Sequence, residues 1–422
     1  MLERSGASAL ASPPTLAQRI RFGLALDGPL LTASAILIVL GLLMVASASM
    51  PLSQDVAGNP LYYFYRQLGA LATGLVVGVA VLRVPTAIWY RSGAWLLLAA
   101  VILLILVLLP GVGREVNGSS RWIPVGPVNV QISELAKIGV LIYAASYLQR
   151  HNEALKHSFA AMLRLMAVLA LVALLLLLEP DFGATVVLGT TVLGMVFMAG
   201  IKIGRFVLLQ VLVLCGLLAL IYSSEYRWKR LASFMDPWQD PFGGGFQLTQ
   251  ALIAIGRGEL FGVGLGASIQ KHHYLPEAHT DFIFAIIAEE LGLLGVLLVL
   301  TLYAVLVWRA FAIGHAAEEQ GQRFGAYLAY GIGLLFALQS LINIGVNMGV
   351  LPTKGLTLPM LSYGGSSLLT NCIALALLLR INWETLPSDT LRRAKSDGST
   401  AEDHPTQSAA GAHSAFNRER AP

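Results

Sequence analysis

Stretches of roughly 20 apolar residues recur along the whole chain, and they restrict its fold more than any other feature. A helix of that length rises about 30 Å, the thickness of a bilayer's hydrocarbon core. Such runs fall at about 29–46, 67–83, 92–110, 131–148, 160–178, 183–200, 206–222, 282–308, 325–346 and 365–381. In lipid every backbone N–H and C=O must be satisfied within the segment, which selects helices. The expectation is an all-α, multi-pass integral membrane protein with ten transmembrane helices. Only 12% of residues are charged, about half the soluble average, and that excludes a soluble enzyme.

Charge placement gives orientation. Lys and Arg gather at Arg4, Arg19 and Arg21, at Arg83 and Arg91, at Arg150, Lys156 and Arg164, at Lys202 and Arg205, at Arg309 and Arg323, and in the C-terminal tail. These are alternate loops, so both termini are expected in the cytoplasm. Basic residues form no stripe with interleaved aromatics, and no nucleic-acid partner is expected. Cys215 and Cys372 both lie in apolar runs and read as small buried hydrophobes, not as a disulfide or zinc site. Ala46-Ser47-Ala48 has the small-residue pattern of a signal-peptidase site, but the run before it is too long, so an uncleaved first helix is expected.

Residues 1–28 read as a cytoplasmic tail, 29–383 as the membrane domain and 384–422 as a disordered cytoplasmic tail. Three polar segments face outward: 111–130, 223–281 and 347–364. The large one lies between spans 7 and 8 and is longer than a plain connector needs to be. Chemistry is therefore expected at the outer membrane face.

The most pointed stretch is Leu275-Pro276-Glu277-Ala278-His279-Thr280-Asp281, which runs straight into an apolar helix. A carboxylate inside a span costs about 2.5–3.5 kcal/mol near the bilayer centre, so acids there usually serve function. Asp281 is either a helix cap or a general base whose affinity for protons is raised by partial burial. Eight residues on, Glu289 lies about 80° round the helix from Asp281 and alone can face the same cavity; Glu290 should pair elsewhere.

Four further groups accompany it. Arg121 precedes Gln131-Ile132-Ser133-Glu134, and Glu134 shares a helix face with Lys137 three residues on. That pair is either a self-neutralised couple or a cation held for an anionic head group. Glu179-Pro180-Asp181 turns the chain, with Asp181 expected as the cap of the next helix. Gly258 to Gly266 is glycine-rich without the strand of a dinucleotide site, so loop flexibility or backbone approach to a ligand explains it better. Lys354 precedes Gly364-Gly365-Ser366-Ser367, whose position at a helix start suits either a phosphate or an ordinary cap.

Together these motifs resemble the SEDS family of shape, elongation, division and sporulation proteins, over roughly residues 29–383. Asp236-Pro237-Trp238-Gln239-Asp240-Pro241, Gln270-Lys271 ahead of the Asp281 stretch, and Leu351-Pro352-Thr353-Lys354-Gly355-Leu356-Thr357-Leu358-Pro359 resemble its division branch. Ile132 stands where that family usually has proline, which implies a less rigid start to the Glu134 helix.

The resemblance implies a peptidoglycan glycosyltransferase of the bacterial inner membrane. It would polymerise lipid II at the division septum, with Asp281 as catalytic carboxylate. It also implies substrate contacts at Glu134, Lys137 and Lys354, to which the residue reading adds Arg121, Glu277, His279 and Ser366. Expected partners are a class B penicillin-binding transpeptidase, division scaffold proteins and membrane lipid. A divalent cation (Mg or Mn) could assist, though no closed ligand set is visible. The competing readings are a lipid II flippase and a non-catalytic scaffold that recruits the transpeptidase.

Overall fold

The computed structural model describes residues 26–116, 119–126, 128–222, 233–352 and 355–386. Every apolar run falls on a helix: α1 (Gly28–Ala57), α2 (Tyr62–Arg83), α3 (Thr86–Leu108), α4 (Ile132–Arg150), α6 (Phe159–Leu178), α7 (Phe182–Met198), α8 (Ile203–Tyr222), α10 (Ile283–Glu319), α11 (Arg323–Asn347) and α12 (Gly365–Glu384). Two shorter helices, α5 (Asn152–His157) and α9 (Phe246–Arg257), lie between them. Seven are long and apolar enough to cross a membrane: α1, α2, α3, α6, α10, α11 and α12; α7 and the 203–216 part of α8 are shorter apolar helices. Helix α4 carries Glu134, Lys137 and Arg150 and is the most polar of the ten. It tolerates those charges because Glu134 and Lys137 are both buried against neighbouring helices and each other.

Burial separates an inner from an outer layer. Within their apolar windows α11 and α12 are 67% and 72% buried, whereas α2 and α3 are 22% buried. Helix α11 packs on α10, α7 and α4, and α12 on α2, so α11 lies among the elements that carry the candidate residues.

The all-α expectation needs one amendment. The polar segment before α4 forms a three-stranded antiparallel sheet, β1 (Arg114–Val116), β2 (Ser119–Val125) and β3 (Val128–Gln131). Trp122 pairs with Gln131 and Val125 with Val128, around a turn in which Gly126 takes φ 59°. β-branched and aromatic residues flanking a short glycine turn favour a hairpin, and the backbone here lies beyond the apolar runs that enforce helix. Strand β2 packs on α3 and α4, and β3 on α12.

A second departure lies inside α10, which breaks at Gly292 (φ 65°, ψ −162°). The loop after α9 fills the break: Val263 N donates to Glu289 O (2.9 Å), Gly264 N to Glu290 O (3.1 Å), and Leu293 N to Glu259 O (2.9 Å). A Cβ on Gly258 would lie 1.8 Å from Ala288 O, and one on Gly262 2.1 Å from Glu290 O. The glycine-rich stretch therefore serves backbone approach to the chain's own helix, not to a ligand.

The adjoining acids are neutralised locally. Glu289 accepts from Arg257 Nη1 (3.2 Å), Ser268 Oγ (2.5 Å) and Ile269 N (3.1 Å). Glu290 accepts from Lys271 Nζ (2.9 Å) and from Ser47 Oγ of α1 (2.7 Å). The expectation that Glu289 faces the Asp281 cavity gives way to this pairing, because Arg257, Ser268 and Ile269 of the preceding segment cover that side chain. Cys215 is exposed on α8, contrary to expectation, and Cys372 is buried.

Candidate active site

Asp281 lies in the loop two residues before α10. The helix is capped by Phe282 with no side-chain hydrogen bond, so Asp281 is not its N-cap. The side chain is half-buried. A tight turn shapes this loop: Glu277 O gathers the amides of Thr280 (3.2 Å), Asp281 (3.1 Å) and Phe282 (3.2 Å). On the opposite side lies Gly355, where a Cβ would stand 3.3 Å from Asp281 Oδ2. The carboxylate thus abuts the residue that follows Lys354 in sequence; Lys354 itself lies outside the described residues.

Glu277 is exposed, and its carboxylate accepts from Thr280 Oγ1 (2.7 Å). His279 is buried between Tyr63 (5.1 Å between ring centroids) and Tyr363 (5.5 Å). Burial lowers its pKa, with the Glu277 charge opposing the shift, so the ring is held neutral. Its carbonyl accepts from Tyr363 N (2.9 Å). His279 thus joins the Asp281 loop to the loop that opens α12.

Glu134 and Lys137 form an ion pair at 2.9 Å, with side chains only 8% and 1% exposed. The less rigid start implied by Ile132 is compensated by neighbours. Gln131 N donates to Ser366 Oγ (2.9 Å), and Ser133 Oγ to Asp181 Oδ2 (2.9 Å). Asp181 also caps α7 by accepting from Ala184 N (3.1 Å), as its position suggests. Ser366 is therefore a strut between α12 and β3. The start of α12 has no side-chain cap.

Arg121 is half-buried and donates through Nε to Glu179 O (3.0 Å) and through Nη2 to Pro180 O (2.6 Å). It fastens the sheet to the Glu179–Asp181 turn. Both Glu179 carboxyl oxygens are buried with no hydrogen-bond partner among the described residues. Burial foremost and then the Asp181 charge push its pKa up to about 8, against the pull of Arg121.

Three residues without charge, absent from the sequence reading, connect these parts. Gln339, Asn343 and Asn347 stand one turn apart on α11, all nearly inaccessible. Gln339 Oε1 accepts from Lys137 Nζ (3.2 Å), and its Nε2 donates to Thr357 O (3.0 Å). Asn343 Nδ2 donates to Leu356 O (2.5 Å) and to Asp281 O (2.9 Å). Asn347 Nδ2 donates to Asp281 O (3.0 Å), while its Oδ1 accepts from Ala285 N (3.1 Å). Leaving such a buried carbonyl without a donor costs about 1–3 kcal/mol. Amides repeating every fourth residue in an apolar run are the signal that identifies them.

The site therefore brings Asp281, Glu134, Lys137 and the 355–364 loop onto one connected framework, with His279 and Ser366 as struts and Arg121 on the adjoining turn.

Comparisons with known proteins agree with these motifs. Residues 29–386 match the FTSW_RODA_SPOVE family, described as a cell cycle protein. A protein of Thioalkalivibrio sulfidiphilus named "Probable peptidoglycan glycosyltransferase FtsW" is 53% identical over 383 residues, covering 91% of this chain and 94% of its own. A solved chain from work on structural coordination of polymerization and crosslinking by a peptidoglycan synthase complex superposes with TM-score 0.68 at 31% identity, over 86% of this chain and 99% of that one. The rod shape determining protein RodA of Thermus thermophilus superposes with TM-score 0.63 at 30% identity, over 86% and 99%. With its fold and its motifs both matched over most of its length, the chain belongs to the FtsW/RodA/SpoVE family of membrane cell cycle proteins.

Proposed function

We propose that this chain is a peptidoglycan glycosyltransferase that polymerises lipid II by inverting transfer during septal wall synthesis. Asp281 takes the proton from the 4-hydroxyl of the acceptor GlcNAc. That oxygen bonds to the anomeric carbon of a MurNAc as its bond to the lipid diphosphate breaks. Undecaprenyl pyrophosphate leaves with the electron pair, and the anomeric centre inverts. Pyrophosphate is already a good leaving group, so one base plus electrostatic stabilisation of the departing charge suffices. Lys137, Lys354, Arg121 and the amides at Ser366 supply that stabilisation, Glu134 orients Lys137, and Glu277 and His279 shape the acceptor side.

The observation that carries this reading is the half-buried Asp281 carboxylate, which is not spent as a helix cap and faces the 355 loop. A divalent cation, Mg or Mn, would assist only at the pyrophosphate. Among the described residues no three His, Cys, Asp or Glu side chains gather to hold one, and no step here runs through it.

The reading extends to ten spans with both termini in the cytoplasm, one membrane domain over 29–383 between two tails, and residence in the inner membrane at the division septum. Residues 1–25 and 387–422, and the loop part 223–232, lie outside the described residues. By analogy with the synthase complex, the partner is a class B penicillin-binding transpeptidase, with division scaffold proteins beside it.

Purified protein and labelled lipid II test the assignment. Glycan polymer should form, and should not form with Asp281→Asn. Lipid movement in liposomes without polymer would support a flippase instead. Full polymerisation by Asp281→Asn, with division lost only when partner contact is lost, would support a scaffold.

A further inference from the structure

Asp281 belongs to no regular element, so its own helix does not set where its carboxylate points. Its carbonyl is held instead by two neutral side chains of α11, Asn343 and Asn347. The same helix face holds Leu356 O and Thr357 O on the facing loop and, through Gln339, the Lys137 ammonium. The three amides sit at successive i, i+4 positions, about 6 Å apart along the axis. One rigid, largely buried helix thereby touches the base, the loop facing it and the buried cation, which are remote in sequence.

We infer that Gln339, Asn343 and Asn347 form a positioning ladder that fixes Asp281 in register with the Leu356–Thr357 loop and with Lys137; this rests on the assignment of Asp281 as base. The chemistry of the side chains fits the task. A general base must lie within hydrogen-bond reach of the hydroxyl it deprotonates, and small misplacements are costly. Amides hold carbonyls at fixed distance without adding charge beside the carboxylate. A Lys or Arg in their place would lower the proton affinity that the base requires. Water or backbone donors could satisfy these carbonyls as well, but would not tie three separate segments to one helix.

The ladder amides are buried and bonded to the protein's own groups, so their loss has a distinctive kinetic mark. In full-length protein, Asn343→Leu preserves bulk and removes both donors. With labelled lipid II as substrate, kcat per folded molecule should fall about 10- to 100-fold, while KM stays within about two-fold. The acid limb of the pH–rate profile should also move, because the carboxylate changes surroundings. Gln339→Leu should give the same pattern more weakly, acting from the Lys137 end. If Asn343→Leu does not purify folded, Asn343→Ser, which keeps a single donor, is read the same way.

Asp281→Asn is measured alongside. If it is inactive while the ladder variants keep wild-type kcat and pH profile per folded molecule, the ladder inference is overturned and the base assignment stands. If Asp281→Asn polymerises at the wild-type rate, the base assignment falls and the ladder with it. A loss that merely tracks the folded fraction, with an unchanged profile, assigns the amides to folding alone and also overturns the inference.

Discussion

Two pairs of acids lie before and within the first turns of α10, and the protein treats them in opposite ways. Glu289 and Glu290 are almost wholly inaccessible, and each meets a cation, a hydroxyl and a backbone amide: Arg257, Ser268 and Ile269 for one, Lys271, Ser47 and Ser268 for the other. Glu277 and Asp281 lie more open, and the Asp281 carbonyl accepts from Asn343 and Asn347. Buried charges survive only when paired and hydrogen-bonded, so the first pair is held in place at the expense of reactivity. The second pair lies nearer the surface, Glu277 exposed and Asp281 half-buried against Gly355. Acid count near a membrane surface therefore says less about catalysis than the manner in which each acid is satisfied.

The contrast is most sharply broken at Lys271. Lys271→Met leaves Glu290 buried beside no cation and should lower stability by about 3–5 kcal/mol, seen as a large drop in unfolding midpoint in detergent. Adding Glu290→Gln should recover most of it; failure to recover would mean that the cluster does more than neutralise itself. Asp281→Asn should do the reverse, removing polymerisation by about 10²-fold or more with little change in midpoint. Should that variant unfold instead, Asp281 is a structural acid like Glu290 and the distinction collapses.

Glu179 offers a third case, a carboxyl without a hydrogen-bond partner among the described residues. Its pKa in the folded protein, about 8, lies above the ordinary 4.5, so folding takes up a proton between those values. Stability from this group is thus full below about pH 4.5 and is lost as pH rises through about 8. Glu179→Gln should flatten that fall, so that unfolding midpoints of wild type and variant diverge as the medium becomes more alkaline. Parallel curves would show that the carboxyl has a partner when folded. The smallest effect is expected at Gly355→Ala, where the added methyl must push the Asp281 carboxylate by a few tenths of an ångström. A loss of about three- to five-fold in kcat, without loss of stability, would place that loop against the working face of the base.

Much of this architecture is legible in the sequence. Each apolar run becomes a helix because lipid leaves the backbone no alternative, and Glu134 with Lys137 declares itself by its spacing. The sheet from Arg114 to Gln131 is less visible, since short alternating strands give a weak signal beside long apolar runs. The break at Gly292 is invisible because a glycine between two leucines reads as continuing helix; only the loop lodged there reveals it. Pairing of Glu289 with Arg257 depends on that same loop. The amides on α11 are hidden for another reason. A neutral side chain in an apolar stretch carries no charge to explain, yet its partners, Asp281 and Leu356, come from distant parts of the chain.

The loop lodged at Gly292 has a consequence for how the protein enters its membrane. Inserted alone, α10 would carry the carbonyls of Glu289 and Glu290 and the amides of Leu293 and Leu294 into lipid with no partners, and each such group costs several kcal/mol there. Their partners lie in Glu259–Gly264, made just before α10 on the ribosome. The Glu259–Gly264 loop and α10 thus have to come together for the backbone at the break to be satisfied.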